Sequence, residues 1–346
     1  MSQQYPALVV VIPLLSAFLV SAAGWANRRL CFPIAVAALA GAAFSAVGLL
    51  LRVMNEGVIV YRLAGWDPPW GIAYYVDSLN SLVLVVVSAV ALANLVACKK
   101  SIEQEFPVKQ GAFYTLYILM VSGLLGIVVT GDAFNLYVLL EIAALTGYGL
   151  LAMGKPDRAP LATLNYLYMG TIGACFYLLG IGYLYIMTGS LNMIDIAALL
   201  PPIYQSKAVV AAFIICMAGV WLKMAFFPLH SWLPNAYTYA PSAASSLIAP
   251  LATKVMIYVM IRLIITVFTP EFAFTAISIS GGVVWLAVIA IVMGALLALR
   301  ERSLKKMLTY IIIAEVGYMV GGAWLGNRAG MTGAILHIVN DALMTL

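Results

Sequence analysis

Apolar runs of about twenty residues recur from one end of the chain to the other, separated by short clusters of charged and turn-forming residues. The runs fall at residues 6–25, 31–52, 72–97, 111–130, 133–153, 162–188, 208–228, 243–267, 276–299, 304–325 and 331–346. A helix needs about 20 apolar residues to cross the hydrocarbon core of a bilayer. Backbone groups in that core must be satisfied internally, and the alternation of a strand is absent, so the runs predict helices. The expectation is an all-α polytopic membrane protein with ten full spans and the opening of an eleventh. Residues 1–346 form one membrane domain, with no separate soluble domain, long linker or low-complexity tract. Met1 to Val20 lacks the basic start and small-residue cleavage site of a removable signal peptide and is taken as the first span. Leu346 closes the sequence inside an apolar run without a polar flank, which suggests a fragment of a longer chain.

Composition agrees with lipid as the solvent. Of the 346 residues 64% are apolar and 9% are charged, against about 25% charged in a soluble domain. Cys31, Cys98, Cys175 and Cys216 stand singly in apolar segments without metal-type spacing, and packing as small hydrophobes accounts for them. The net charge of +5 comes from loop residues, so it bears on topology and not on nucleic acid. Loops after odd-numbered runs hold Arg28, Arg29, Lys99, Lys100, Lys109, Lys155, Arg158, Arg300, Arg302, Lys305 and Lys306. Loops after even-numbered runs hold only Arg52, Arg62, Lys207 and Arg328. The excess of basic residues marks the cytoplasmic side, which puts the N-terminus outside the inner (plasma) membrane. The fourth run then points outward and the ninth inward, so five-helix units starting there would be inverted copies, a common transporter plan. That divides the chain at about 1–110, 111–270 and 276–346, the last unit being incomplete. Glu141-Ile-Ala-Ala-Leu-Thr-Gly-Tyr in the fifth run and Glu315-Val-Gly-Tyr in the tenth are short matching texts.

Ionisable residues inside the runs carry the functional signal, because each costs at least ~2.5 kcal/mol at the bilayer centre. They are Glu141, Lys223, Lys254, Glu315, His337 and Asp341, spread over five runs. Acids and bases buried together are what a proton path needs, since each group changes charge as the proton passes. Pairing and separating Glu141 and Lys223 would switch their proton affinity. The competing reading is a set of fixed ion pairs that only lock helices together. Arg262 lies near a span end, where its stem can snorkel, and receives no function. Pro228 follows Lys223 by five residues and Pro250 precedes Lys254 by four, so their missing amides would free the carbonyls of Met224 and Ser246. Such breaks can hydrate the lysines or simply kink the helix. Ser242, Ser245, Ser246 and Thr253 add hydroxyls for a water wire along the eighth run.

His337 and Asp341 stand four apart on one helical face, with Thr345 continuing the stripe. His230 suits an interfacial or break-stabilising role. Asp77 and Asp132 sit where helices begin, as caps. Gly170, Gly173, Gly180 and Gly182 would allow close helix packing. The sequence holds no phosphate-binding glycine loop, metal-ligand cluster, haem-ligand histidine pair or nucleophile–base pair. No cofactor or metal is expected, and the chain would not be a catalyst alone.

Thr130-Gly-Asp-Ala-Phe-Asn-Leu-Tyr-Val-Leu-Leu-Glu141 with Thr146-Gly-Tyr resembles a signature of the antiporter-like subunits of respiratory complex I. Trp221-Leu-Lys223, Phe227-Pro-Leu-His230-Ser-Trp-Leu-Pro234 and Ala240-Pro241-Ser242 resemble that family's broken seventh helix and the loop after it. Arg302-Ser-Leu-Lys-Lys-Met-Leu-Thr-Tyr310 with Gly317-Tyr318 resembles its junction of helices nine and ten. The family includes the D-type membrane component of multisubunit Na+/H+ (Mrp-type) antiporters and membrane subunits of energy-converting hydrogenases. The resemblance implies a fourteen-helix fold with two inverted five-helix repeats, no cofactor in the subunit itself, and neighbouring membrane subunits as partners. It implies that Glu141 is the fifth-helix glutamate, Lys223 its seventh-helix partner and Lys254 the eighth-helix relay.

Three departures stand out. Leu233-Pro-Asn235-Ala-Tyr237 replaces the usual aspartate and histidine, Asp341 and Thr345 replace a histidine and a lysine found in many members, and the twelfth-helix lysine lies beyond Leu346. The altered eleventh helix favours the branch of the D-type Mrp components and the hydrogenases, carrying protons and an exchanged cation such as Na+. A subunit of an NADH–quinone oxidoreductase, and with it a redox-driven translocase, stays open. So does a non-conducting scaffold.

Overall fold

The computed structural model describes residues 2–154 and 157–346. Met1 and Lys155, used above for the first span and the loop charges, lie outside them.

The chain opens with α1 (Tyr5–Ala26), α2 (Cys31–Glu56) and a small hairpin, β1 (Ile59–Arg62) paired antiparallel with β2 (Ala73–Val76). Next come α3 (Ser78–Ala97), a short α4 (Lys99–Glu105), α5 (Gln110–Val129), α6 (Ala133–Ala152) and α7 (Ala159–Thr188). A short α8 (Met193–Leu199) precedes α9 (Lys207–Lys223), followed by a short α10 (Leu233–Tyr239) and α11 (Ser242–Arg262). The chain finishes with α12 (Ser280–Arg300), α13 (Leu304–Trp324) and α14 (Arg328–Met344). Among the described residues nine helices are long and apolar enough to cross a membrane. α9 and α14, at 17 residues each, are shorter.

Two expectations at the level of elements are corrected. The third run was expected to be helical from residue 72, but Ala73–Val76 is extended and α3 begins at Ser78. The Asp77 side chain accepts from the amides of Leu79 and Asn80, and the Asn80 side chain accepts from the Asp77 amide. This reciprocal cap sets the helix start. Four-residue strands are too short to show their alternation in the sequence, although β1 alternates in burial. The hairpin is tied onward by bridges from Tyr74 to Thr130 and from Asp132 to Asn192.

The seventh run, expected to be helical to residue 228, stops at Lys223. Proline disfavours the helical conformation of the residue before it, so Pro228 keeps Phe227 out of a continuing helix. The chain turns already at Ala225, which has φ +58°. Amides beyond the end reach back, from Ala225 to the Leu222 carbonyl and from Phe226 to that of Trp221.

Helix association in lipid draws on close packing rather than on the expulsion of water. Gly173 on α7 and Gly219 on α9 meet so closely that a Cβ at Gly219 would lie 2.5 Å from the Gly173 carbonyl oxygen. Gly182, expected to serve the same purpose, has no atom within 4 Å of its would-be Cβ. It sits off the interface that Gly173 and Gly180 line. α5 and α11 are the most enclosed of these nine helices, and α11 carries the cations of two buried ion pairs.

Candidate functional site

The six ionisable residues singled out in the sequence meet as three acid–base pairs, each joining two helices. Glu141 on α6 faces Lys223, the last residue of α9, with Nζ 3.5 Å from Oε1. Lys223 is nearly buried, its side chain 8% exposed. An aromatic chain walls the region where α9 ends. Tyr148 meets Tyr166 edge-on, and Tyr166 stacks on Trp232 at 4.3 Å between ring centroids. The Trp232 indole donates to the Leu222 carbonyl at 3.1 Å, so the segment after the break is pinned to the helix end beside Lys223. Lys223 and Tyr166 also border a void of about 40 Å³, room enough for a water molecule.

Lys254 on α11 and Asp341 on α14 form the most buried pair, 2.8 Å apart with each side chain 2% exposed. Lys254 also donates to the Ala249 carbonyl at 3.0 Å. Pro250 lies inside α11, which continues through it as one helix, so it is not a break. The third pair joins His337 on α14 to Glu315 on α13, with Nε2 against Oε2. Tyr318 meets the His337 ring edge-on at 6.0 Å.

His337 and Asp341 do share α14, yet they are not partners of each other. One reaches α13 and the other α11, so α14 stands as a common post for two pairs. Thr345 turns back to donate to the Asp341 carbonyl at 2.6 Å and extends no relay beyond it. No hydrogen bond or ion pair among the described residues joins Glu141 and Lys223 to the other four.

A cavity of about 380 Å³ runs beside the second and third pairs, lined by Ser242, Ser245, Ser246, Lys305, Thr309, Glu315, Asp341 and Thr345. Three of the four hydroxyl residues expected to line a water path therefore face one space. Thr253, the fourth, is fully buried outside that lining, and its hydroxyl has no partner among the described residues. Asn94 on α3 donates to Ser246 at 2.6 Å and accepts from Tyr117 at 3.0 Å. These two were not anticipated, because an asparagine and a tyrosine inside apolar runs carry no distinguishing signal. His230 lies in the turn after α9 with its ring stacked on Phe227.

Arg262 is the clearest correction. It does not reach out of the bundle; its side chain is 4% exposed and grips Asp77 through two hydrogen bonds, at 2.7 and 3.0 Å. Two further donors go to Tyr258 and Thr266, each at 3.1 Å, and Tyr258 donates in turn to the Val128 carbonyl. Burial pushes the Asp77 carboxyl up, but the hydrogen bonds and charge of Arg262 outweigh it and hold Asp77 below the usual carboxylate range. Asp132 has no such cation among the described residues: it accepts from the Asn135 amide as a cap, and burial pushes its carboxyl up.

Fold and site together define a multi-pass membrane protein with acid–base pairs set between its helices. The chain belongs to the NADH:quinone oxidoreductase/Mrp antiporter transmembrane family, whose model matches residues 130–346. It is 42% identical over 349 residues to NADH-quinone oxidoreductase subunit N of Desulforudis audaxviator, covering 99% of this chain and 68% of that one. It is 30% identical over 310 residues to the D-type component of the Na(+)/H(+) antiporter of Alkalihalophilus pseudofirmus, covering 87% of this chain and 61% of the relative. Among solved structures, a chain of the membrane-bound sulfane sulfur reductase, an archaeal respiratory membrane complex, superposes with a TM-score of 0.90 at 28% identity, over 99% of this chain and 69% of that one. A chain of the Mrp complex from Dietzia sp. shares the fold with a TM-score of 0.89 at 24% identity, over 99% and 62%. The chain thus spans between three fifths and seven tenths of the length of these relatives.

Proposed function

We propose that this chain is a proton-translocating, cation/proton antiporter-like subunit of a multisubunit membrane complex, and that Glu141, Lys223, Lys254, Asp341, Glu315 and His337 carry the proton. The observation behind this reading is the pairing itself. Every buried acid among the six faces a base on another helix, and the Lys254–Asp341 pair is shut away from solvent at 2.8 Å. Moving a proton from lysine to carboxylate neutralises both members of such a pair. In a medium of low dielectric the charged and neutral forms therefore lie closer in energy than in water. Small shifts of a helix then decide which form holds. The helix end at Lys223 supplies a point where such a shift can occur, and α14 couples the second pair to the third.

In this reading the chain crosses the membrane ten times and begins an eleventh crossing, α9 completing its span with the segment after the break. Residues 1–110 precede a first five-helix repeat over 111–270, and 276–346 belong to an inverted second repeat. The N-terminus lies outside the plasma membrane, as the loop charges favour. The partners are other membrane subunits, and the exchanged ions are protons with a cation such as Na+.

Proton flux into vesicles containing the parent complex, with and without a sodium gradient, tests the proposal. Glu141→Gln and Lys223→Ala should each abolish flux while assembly stays intact. Native flux in both variants would make the chain a non-conducting scaffold, with ions crossing through another subunit. The 42% identity to an NADH-quinone oxidoreductase subunit favours a second reading, a redox-driven parent complex over a simple antiporter. Flavin and iron–sulfur clusters in the purified complex would decide for it.

A further inference from the structure

At one end of the bundle the turn between α1 and α2 meets the start of α4 and the start of α5 around a cavity of about 650 Å³. Arg28, Arg29 and Lys99 supply three cations to its wall, Glu103 one carboxylate, Gln110 an amide, and Phe32 with Pro33 an apolar side. We propose that this cavity binds the phosphodiester headgroup of an anionic phospholipid.

Charge is the first argument. Glu103 lies 4.0 Å from Lys99, at the limit of an ion pair, and offsets only one of the three cations. Arg28 spends a single N–H on the Pro107 carbonyl, at 3.3 Å. The Arg29 guanidinium has no hydrogen bond or ion pair among the described residues; the backbone amide of this residue donates to the Asn27 side chain. Lys99 is held over the Phe32 ring, 4.6 Å from its centroid, so its charge is aimed along the apolar wall. Guanidinium groups with free N–H forks are suited to the paired oxygens of a phosphate.

Depth is the second. α1 ends at Ala26, α2 begins at Cys31 and α3 ends at Ala97, so the cavity lies level with the ends of three spans, where lipid headgroups sit. Trp25, in the last turn of α1, is 93% exposed, as expected of an aromatic residue resting at the membrane–water interface. A soluble anion would need only the cations. The apolar side formed by Phe32 and Pro33 is of use to a ligand that continues into hydrocarbon.

The third is that the cavity is built before any ligand arrives. Gly24 on α1 and Gly111 on α5 cross in backbone contact, a Cβ at Gly111 lying 3.0 Å from the Gly24 Cα. This crossing fixes Gln110 and the Arg28 turn relative to each other, which lowers the ordering that binding would demand. Basic pockets between membrane helices recognise anionic headgroups by this combination of charge and depth. Two uncompensated positive charges match a lipid with two phosphodiesters, of the cardiolipin class, better than phosphatidylglycerol with one.

Native mass spectrometry of the purified full chain, with cardiolipin, phosphatidylglycerol, phosphatidylcholine or inorganic phosphate added in turn, tests the proposal. One anionic lipid should be retained, cardiolipin more strongly than phosphatidylglycerol, and phosphatidylcholine not at all. Arg28→Gln with Arg29→Gln should weaken retention at least about tenfold, and Lys99→Gln should weaken it less. Arg300→Gln with Arg302→Gln, two exposed cations at and just after the end of α12, should leave it unchanged. The proposal is overturned if phosphatidylcholine is retained equally, or if the Arg300 and Arg302 changes weaken binding as much. Inorganic phosphate that binds alone and displaces the lipid would also overturn it, in favour of a soluble-anion site.

Discussion

Lys254 and Asp341 are both almost fully shielded, so each depends on the other to stay charged in hydrocarbon. Removing one partner of a buried pair strands the other charge, whereas replacing both with apolar groups removes the demand altogether. Lys254→Met or Asp341→Asn alone should therefore lower stability by about 3–5 kcal/mol, and Lys254→Met with Asp341→Leu should recover most of that loss. Unfolding of the purified variants in detergent measures both, and additive losses would show that the two residues act independently. Positions of the six ionisable residues were legible in the sequence because charge is rare in apolar runs. Their partners were not, since Glu141 and Lys223 are 82 residues apart and no spacing rule reaches that far. The same limit explains Arg262. A terminal arginine is usually read as reaching for water, and its partner Asp77 stands 185 residues away.

Helices were legible wherever length and hydropathy sufficed, and their ends were misjudged where local geometry overrode hydropathy. An apolar β2 passed for the start of a helix until the Asp77 cap placed that start at Ser78. Glycines divide in a similar way. Composition marks Gly173 and Gly182 alike as small residues, but only a packed neighbour makes smallness matter. Gly219→Ala would drive its Cβ into the Gly173 carbonyl and force α7 and α9 apart, with an expected loss of about 1–3 kcal/mol. Gly182→Ala, with open space around it, should be neutral or stabilise α7 by up to about 1 kcal/mol through helix propensity. Thermal unfolding of the two variants side by side would expose an error in the packing assignment if they matched.

For the whole bundle, the two sides of the membrane are assigned by charge alone. A membrane-impermeant maleimide applied to intact cells should label Arg62→Cys, in the loop that holds the hairpin, in a background lacking the four native cysteines. Arg302→Cys should label only after permeabilisation; the opposite pattern would invert the topology. Membership of the family was legible because its motifs recur between Thr130 and Tyr318. That α14 carries one member of two separate pairs was not, because a shared helical face says nothing about which helices pack against it.

The abrupt stop of α9 at Lys223 also has an electrostatic meaning. Aligned peptide dipoles leave a helix C-terminus with about half a unit of negative charge, and here that pole falls within the last turn, where the lysine sits. In the proton path proposed above, that pole would give Lys223 a standing counter-charge made of backbone, one that would neither titrate nor move off if Glu141 took up a proton. On that proposal the lysine would let go of its carboxylate partner without facing hydrocarbon unaccompanied.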